Sequence, residues 1–164
     1  MADMRRVDIF TTGGTIDKVY FDALSEFKIG DNAVGNILAE ANVQSDVRIT
    51  ELMRKDSLEL TDQDRSTIRT AVEVSERKGI LITHGTDTMT TTAAALEGIT
   101  DKTVVFVGAM QPARLKATDA VFNVGFALAG AMMLPPGLYI AMNGRFLDAL
   151  HAKKNRDAQM FEEG

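Results

Sequence analysis

The fold is decided by the stretch Gly79-Ile80-Leu81-Ile82-Thr83, a continuous apolar run that ends at His84. A strand without polar alternation is typical of a sheet whose two faces are both covered. Comparable apolar runs lie at 103–107 and 137–142, and β-rich segments at 7–12 and 46–52 precede them. These five segments predict the strands of one sheet.

Helical patterns fill the gaps between the predicted strands. We expect helices at 32–42, 61–78 and 88–96, and another that begins at 118. Thr61 and Asp64 approximate a capping box at the start of the second helix. The apolar side chains expected to face the core are Val34, Ile37, Leu38, Ile68, Val72, Val74, Met89, Ala93, Leu96, Val121, Phe122, Val124, Leu128 and Met132.

Strands that alternate with helices predict an α/β chain, a single three-layer domain with a mainly parallel, flavodoxin-like or Rossmann-like sheet. The polar tail at 156–164 is expected to form a short helix or a frayed end.

The composition is that of a globular protein and narrows the possible function classes. Of 164 residues, 45% are hydrophobic and 25% are charged, which supports a folded core. The formal net charge of -5 disfavours binding to nucleic acids and anionic membranes. The absence of cysteine excludes disulfides and thiolate chemistry, and two histidines are too few for a multi-histidine metal site. With no apolar leader and no membrane-length segment, we expect a cytoplasmic protein without a metal site.

Hydroxyl and carboxyl side chains concentrate in three of the segments that follow the predicted strands, at 11–18, 56–59 and 84–88, and a fourth such segment lies at 108–112. Ligands bind open parallel sheets at the carboxyl ends of the strands, so these segments should form one site. Taken alone, Gly13-Gly14-Thr15 fits a plain turn and Thr86 fits a helix N-cap. The chain contains neither a P-loop nor a dinucleotide-binding glycine motif.

Three sequence blocks resemble those of the bacterial-type L-asparaginase family. Thr12-Gly13-Gly14-Thr15-Ile16 and His84-Gly85-Thr86-Asp87-Thr88-Met89 look like the signature pair of that family. Val107-Gly108-Ala109-Met110-Gln111-Pro112 resembles a third block, whose continuation the segment 116–123 fits loosely. The resemblance implies an N-terminal-type catalytic domain over residues 1–164, in a short form without the family's C-terminal domain.

The resemblance also implies a reaction and its partners. The reaction is hydrolysis of L-asparagine to L-aspartate and ammonia through a threonyl acyl-enzyme, with no cofactor. The partner is a small molecule rather than a nucleic acid or a membrane. We also expect a homo-oligomer, either a dimer or a tetramer, because one small domain leaves a side of the site open to water.

Residues in these blocks receive roles from the resemblance. Thr15 matches the nucleophile, and Thr86 with Asp87 match a second threonine and its neighbouring aspartate. The expected lysine base aligns with Lys154, and Lys153 is the adjacent alternative. Such a base activates a threonine hydroxyl by taking its proton. The expected substrate-binding residues are Gly14, Ser57, Glu59, Gly85, Thr86, Asp87 and Ala109.

The chain departs from the family pattern near the expected site. Phe27 stands where the family has a lid tyrosine, so we expect Tyr20 to supply that hydroxyl. Leu58 replaces a residue, often glutamine, that contacts the substrate amine. The acidic contact that a neighbouring protomer's C-terminal domain gives to the amine is not expected here, and Glu59 is its expected local substitute. These changes bear on substrate affinity more than on acyl transfer.

Two alternative functions use the same residues. One is a related amidohydrolase that prefers glutamine or a D-isomer. The other is a binding module that holds aspartate or asparagine without turnover. In each case we expect His84 to be structural, bonded to backbone near its loop, and His151 to lie on the surface.

Overall fold

The computed structural model describes residues 6–21 and 26–164, with only the backbone described at 21, 26 and 27. Within these ranges the strands are β1 (Val7–Gly13), β2 (Lys18–Phe21), β3 (Glu26–Ile29), β4 (Val47–Lys55), β5 (Gly79–Thr83), β6 (Thr103–Val107), β7 (Gly137–Met142), β8 (Arg145–Asp148), β9 (Lys153–Asn155) and β10 (Met160–Glu162). The helices are α1 (Val34–Glu40), α2 (Asp62–Val74), α3 (Met89–Ala95) and α4 (Ala120–Met133). Short 3₁₀ turns lie at Thr15–Asp17 and Ser57–Glu59.

A six-stranded sheet forms the centre of the fold. Strands β4, β1, β5, β6 and β7 run parallel in that spatial order, and β8 joins β7 antiparallel at the edge. Counted along the chain, the parallel strands lie in the order 2-1-3-4-5, which is the flavodoxin-like order. Every residue of β5 and β6 is buried, as their apolar sequences predict. The predicted α/β fold with a mainly parallel sheet is confirmed.

Helices cover both faces of the sheet and complete three layers. Helices α1 and α4 pack over one core, which contains Ile9 and Leu81. Helices α2 and α3 pack over the opposite core, which contains Ile80 and Phe106. Neighbouring residues of one strand therefore enter different cores, as the pleat requires. None of the helices in the described part of the chain is long and apolar enough to cross a membrane.

The expected site lies where the strand order reverses. The chain passes from β1 outward to β4 and then returns on the other side of β1 as β5. A crevice for ligands forms at this point of a doubly wound sheet. The loops at 13–17 and 84–88 leave these two neighbouring strands, just beyond the paired residues Thr11 and Thr83.

The capping box predicted at α2 is confirmed. The Thr61 hydroxyl accepts the Asp64 N–H at 3.2 Å, and the Asp64 carboxylate accepts the Thr61 N–H at 2.9 Å. These bonds satisfy two donors that a helix start otherwise leaves without partners. They also fix the start of α2, and therefore the end of the turn that follows β4.

Three side chains that the pattern places in the core are exposed instead. Val74, Val121 and Phe122 are 72%, 51% and 62% exposed. Val74 lies two residues after the buried Val72, which is about 200° around a helix, so the two cannot face the same way. Val121 and Phe122 lie in the first turn of α4, where Val124 takes the core position instead.

The expected tail helix or frayed end at 156–164 is wrong, because part of this segment is a strand. Strands β9 and β10 pair antiparallel, with Lys154 opposite Phe161. Phe161 is 1% exposed and anchors the hairpin in the core under α2 and α3. A second hairpin, formed by β2 and β3, was not predicted, since its two strands show no clear alternation in sequence.

Candidate active site

Two loops meet at Gly14 and Gly85, directly before Thr15 and Thr86. Gly14 has a φ of 90°, a conformation that glycine adopts without strain. A methyl group on Gly14 would lie only 2.5 Å from the Gly85 nitrogen and 2.6 Å from its Cα. The two loops are therefore in backbone contact, and the structure brings the two predicted threonines to adjacent positions at the carboxyl edge of the sheet.

The turn after β4, which contains Ser57, packs against the loop of Gly85 at the same edge of the sheet. A methyl group on Gly85 would lie 2.6 Å from Cβ and 2.7 Å from Oγ of Ser57, which is 2% exposed. The Thr88 hydroxyl donates to the Ser57 carbonyl at 2.8 Å. The Asp56 carboxylate accepts the Leu58 N–H at 3.0 Å and shapes the turn. Ser57 thus lies against the predicted site.

Lys154 lies between Thr86 and Asp87. Its Nζ donates to Thr86 Oγ1 at 2.7 Å and to Asp87 Oδ1 at 2.7 Å. The Lys154 side chain is 18% exposed, whereas the neighbouring Lys153 lies on the surface. Adjacent residues of a strand point to opposite sides, so only one of the two lysines can face Thr86. The structure brings Lys154 to the site and leaves Lys153 outside it.

The β9–β10 hairpin that carries Lys154 is hydrogen-bonded to the end of β7. The Asn143 side-chain carbonyl accepts the Phe161 N–H at 2.9 Å, and its amide donates to the Gln159 carbonyl at 3.4 Å. Asn143 has a φ of 55°, which asparagine tolerates better than most residues. Asn143 therefore positions the hairpin, and with it Lys154.

Asp87 is held in its ionised form by the cations around it. Burial by itself raises the pKa of the Asp87 carboxyl, but the Lys154 hydrogen bond and the charges of Lys154, Arg156 and Lys18 lower it overall. Arg156 Nη2 lies 3.0 Å from the same Oδ1 that Lys154 contacts. Arg156 was not among the residues predicted from sequence. Arg156 lies in the turn that follows β9, where strand spacing does not fix the direction of a side chain, so no sequence pattern points to it.

The start of α4 holds the loop around Ala109. The Asp119 carboxylate accepts the Met110 N–H at 2.9 Å, and the Asn123 amide donates to the Gly108 carbonyl at 3.0 Å. Ala109, between them, is 1% exposed. A methyl group on Gly108 would lie 3.1 Å from Cγ2 of Thr86, so this loop adjoins the site. Asp119 and Asn123 explain why the third sequence block continues into 116–123.

His84 is structural, as predicted, and belongs to a buried chain of hydrogen bonds. Arg65 Nε donates to the Thr92 hydroxyl at 3.1 Å, which lies 2.7 Å from His84 Nε2, while His84 Nδ1 lies 2.6 Å from the Gly85 carbonyl. Since a carbonyl only accepts, Nδ1 carries the proton and Nε2 accepts from Thr92. Burial lowers the pKa of His84 to about 4, and the Arg65 charge acts in the same direction. A neutral His84 therefore holds the Gly85 loop in place.

The other predicted residues lie at the rim. Tyr20 is 55% exposed on β2, and Glu59 is exposed on the turn that contains Ser57. The side chain of Phe27 lies outside the described residues. The roles of Tyr20 and Glu59 in substrate binding stay predictions. Over 6–21 and 26–164, no group of three or more histidine and carboxylate side chains is placed to hold a metal ion.

Asp17 fixes the base of the Thr15 loop and was not singled out from the sequence. It is 2% exposed, and its Oδ1 accepts the Ala33 N–H at 2.7 Å. Its carbonyl accepts the Gly30 N–H at 2.8 Å and so ties the loop to the end of β3. Burial raises the pKa of Asp17 to about 6, against the opposing effect of the Ala33 hydrogen bond.

We expect Asp17→Asn to gain stability relative to the parent protein as the pH rises. The folded protein holds this proton more tightly than an unfolded chain, where the carboxyl pKa is 3.8, so ionisation of Asp17 costs folding free energy. Asparagine keeps the acceptor for Ala33 and cannot ionise. The shift corresponds to roughly 3 kcal/mol, which should accumulate between about pH 4 and about pH 7. Urea unfolding of both proteins across that range measures the difference, and a difference that does not change with pH would contradict this assignment.

Comparisons with known proteins agree with this geometry. Residues 6–162 match the family model described as Asparaginase, N-terminal. The chain is 29% identical over 164 residues to a Haemophilus influenzae protein named "Probable L-asparaginase periplasmic", covering 93% of this chain and 47% of that protein. It is 29% identical over 156 residues to one of the glutamyl-tRNA(Gln) amidotransferase proteins of Methanococcus vannielii, covering 90% of this chain and 36% of that protein.

A solved structure is similar to this chain over almost its whole length. The thermostable L-asparaginase from Thermococcus kodakarensis superposes with a TM-score of 0.81 at 26% identity, covering 96% of this chain and 51% of that one. The chain spans 47% and 36% of the length of the two curated relatives. The matched part contains every strand of the central sheet and the contact between the two glycine loops. The chain therefore belongs to the asparaginase family and corresponds to the N-terminal domain of that family.

Proposed function

We propose that the site hydrolyses the side-chain amide of L-asparagine to give L-aspartate and ammonia. The observation that carries the proposal is the position of Lys154 Nζ, 2.7 Å from Thr86 Oγ1 and 2.7 Å from Asp87 Oδ1. This group lies beside the loop of Thr15, which the contact between Gly14 and Gly85 brings to the same edge. Amide hydrolysis needs a nucleophile, a base and donors for the oxyanion, and the site offers a candidate for each.

In the first step the Thr15 hydroxyl oxygen attacks the amide carbon. As the C–N bond breaks, the Lys154 ammonium gives a proton to the leaving nitrogen and takes the Thr15 proton through the Thr86 hydroxyl, and ammonia departs. An ester then joins Thr15 to the aspartyl group. In the second step water attacks this ester, a proton returns to the Thr15 oxygen, and aspartate is released.

The remaining groups orient the reactants. The backbone N–H groups of Thr15 and Thr86 directly follow the packed Gly14 and Gly85, and are candidate donors to the oxyanion. Asp87 holds Lys154 against Thr86 through its hydrogen bond at 2.7 Å. The Ser57 hydroxyl and the Ala109 carbonyl are the proposed contacts for the substrate carboxylate and amide. Both residues are buried, and their loops are hydrogen-bonded to Thr88 and Asp119, which favours a preformed site.

The proposal extends to assembly and location. We propose a homo-oligomer, since Phe122 and Met133 leave large apolar side chains 62% and 72% exposed on α4. Light scattering coupled to gel filtration measures this directly. The expected cytoplasmic location stays a prediction, because one relative carries the word periplasmic in its name.

The test of the activity is ammonia release by the purified protein with L-asparagine, L-glutamine and D-asparagine. Release from L-asparagine above the other two supports the proposal, with the Thr15→Ala variant as the control for contaminating activity. A preference for glutamine or the D-isomer would assign a related amidohydrolase instead. No ammonia from any amide, together with tight aspartate binding in calorimetry, would identify a binding module and contradict the proposal.

A further inference from the structure

Two cations of the β9–β10 hairpin share one oxygen of Asp87. Lys154 Nζ lies 2.7 Å and Arg156 Nη2 lies 3.0 Å from Asp87 Oδ1. Lys154 is needed at this position for the proposed proton transfer, but Arg156 has no such role. Its side chain is 67% exposed, so it stands at the solvent side of the carboxylate, where a ligand would approach.

The neighbouring carboxylate is also paired. Asp56 Oδ2 lies 3.6 Å from Lys18 Nζ, and the Lys18 charge acts on Asp87 as well. Lys18, Lys154 and Arg156 thus place three positive charges around two carboxylates. The side chain next to Ser57 is Leu58, which is 66% exposed and offers no charge or hydrogen bond to a ligand.

This distribution of charges should favour the carboxylate of a bound amino acid and disfavour its ammonium group. Next to Asp87, the two cations Lys154 and Arg156 face a single carboxylate, which favours a ligand carboxylate there. A ligand ammonium that approaches Asp87 must either displace the Arg156 guanidinium or lie beside it. Two positive charges within hydrogen-bonding range of one carboxylate repel each other appreciably, even when they are partly solvated. Glu59, exposed on the turn of Ser57, is the rival acceptor for an ammonium group.

We propose that this site prefers ω-amides of dicarboxylic acids that carry no α-ammonium group, with succinamate as the simplest example, and that Arg156 sets this preference. Succinamate keeps the spacing between carboxylate and amide that asparagine has and lacks only the amine. The inference rests on the proposed amidohydrolase function and specifies its substrate class. Free asparagine is still hydrolysed, with a lower kcat/KM than succinamate.

The experiment compares kcat/KM for succinamate and L-asparagine in the parent protein and in Arg156→Gln and Arg156→Lys. The parent should favour succinamate by about tenfold, and Arg156→Gln should shift the ratio towards asparagine by about five- to tenfold. Arg156→Lys keeps the charge and should keep the parent ratio. Since both substrates are measured on the same preparation, the ratio is independent of the folded fraction. A parent protein that prefers asparagine, or a ratio that Arg156→Gln leaves unchanged, overturns the inference.

Two further measurements separate this inference from the proposed function. Calorimetry with succinate and L-aspartate tests the charge preference without turnover, and tighter succinate binding that weakens in Arg156→Gln supports it even if no amide is hydrolysed. Equal binding of the two acids contradicts it. Raising the salt concentration from about 0.05 M to about 0.5 M should shrink the preference, because screening weakens charge repulsion. A loss of asparagine turnover alone in Glu59→Gln would show that Glu59 receives the amine and would also count against the inference.

Discussion

Replacing Thr15 with alanine should abolish ammonia release and leave the fold intact. The variant removes the only atom of Thr15 that can form the acyl-enzyme, and loss of a nucleophile of this kind lowers kcat by about 10⁴-fold or more. Thr15 is partly exposed and follows Gly14, whose conformation sets the turn, so the substitution removes little packing. Turnover assays and thermal unfolding on one preparation measure both parts of this expectation.

Thr15→Ser is the matched control for this variant. Serine keeps a hydroxyl at the same position and should retain part of the activity. If Thr15→Ala turned over asparagine at the parent rate, another residue would be the nucleophile and the proposed mechanism would be wrong.

The second large effect is expected from Lys154→Met, compared with Lys153→Met. Methionine keeps much of the apolar length of lysine but removes the amine that lies 2.7 Å from Thr86 Oγ1. We expect kcat to fall by about 10²–10⁴-fold, the usual contribution of a positioned acid–base group. Lys153→Met lies on the opposite side of the same strand and should stay within about twofold of the parent.

This pair separates chemistry from damage to the hairpin. Both substitutions lie on β9, and neither removes a backbone group that pairs this strand with β10. Equal losses in the two variants would indicate a structural effect, and full activity in Lys154→Met would remove this lysine from the mechanism.

The sheet could be predicted from sequence because its central strands carry a distinctive pattern. β5 and β6 are apolar at nearly every position, which only a strand covered on both faces requires. Because ligands bind at the carboxyl ends of parallel strands, the loops of Thr15 and Thr86 were expected to lie together. The contact between Gly14 and Gly85 agrees with that prediction.

The hairpins could not be predicted in the same way. β9 and β10 have three residues each, too few to show alternation, and their position depends on the distant Asn143 and on burial of Phe161. The choice between Lys153 and Lys154 depends on that register, so sequence reasoning left it open. Arg156 follows β9 directly, so its contact with Asp87 depends on the same register.

Helix faces were predicted less well at the helix ends. Val74 is the last residue of α2 and lies about 200° around the helix axis from the buried Val72. Val121 is in the first turn of α4, where Val124 takes the core position. An apolar residue in the first or last turn of a helix can therefore be assigned to the wrong face when only a few residues define the pattern.

The proposed mechanism depends most on the convergence of Thr15 and Thr86 on one carbonyl carbon. A crystal structure of the protein with bound L-aspartate tests this directly. We expect the side-chain carboxyl carbon of the ligand to lie about 3–3.5 Å from Thr15 Oγ1, with Thr86 Oγ1 and Lys154 Nζ on the same carboxyl group. An aspartate bound with that carboxyl group out of reach of Thr15, or bound away from the two glycine loops, would contradict the mechanism.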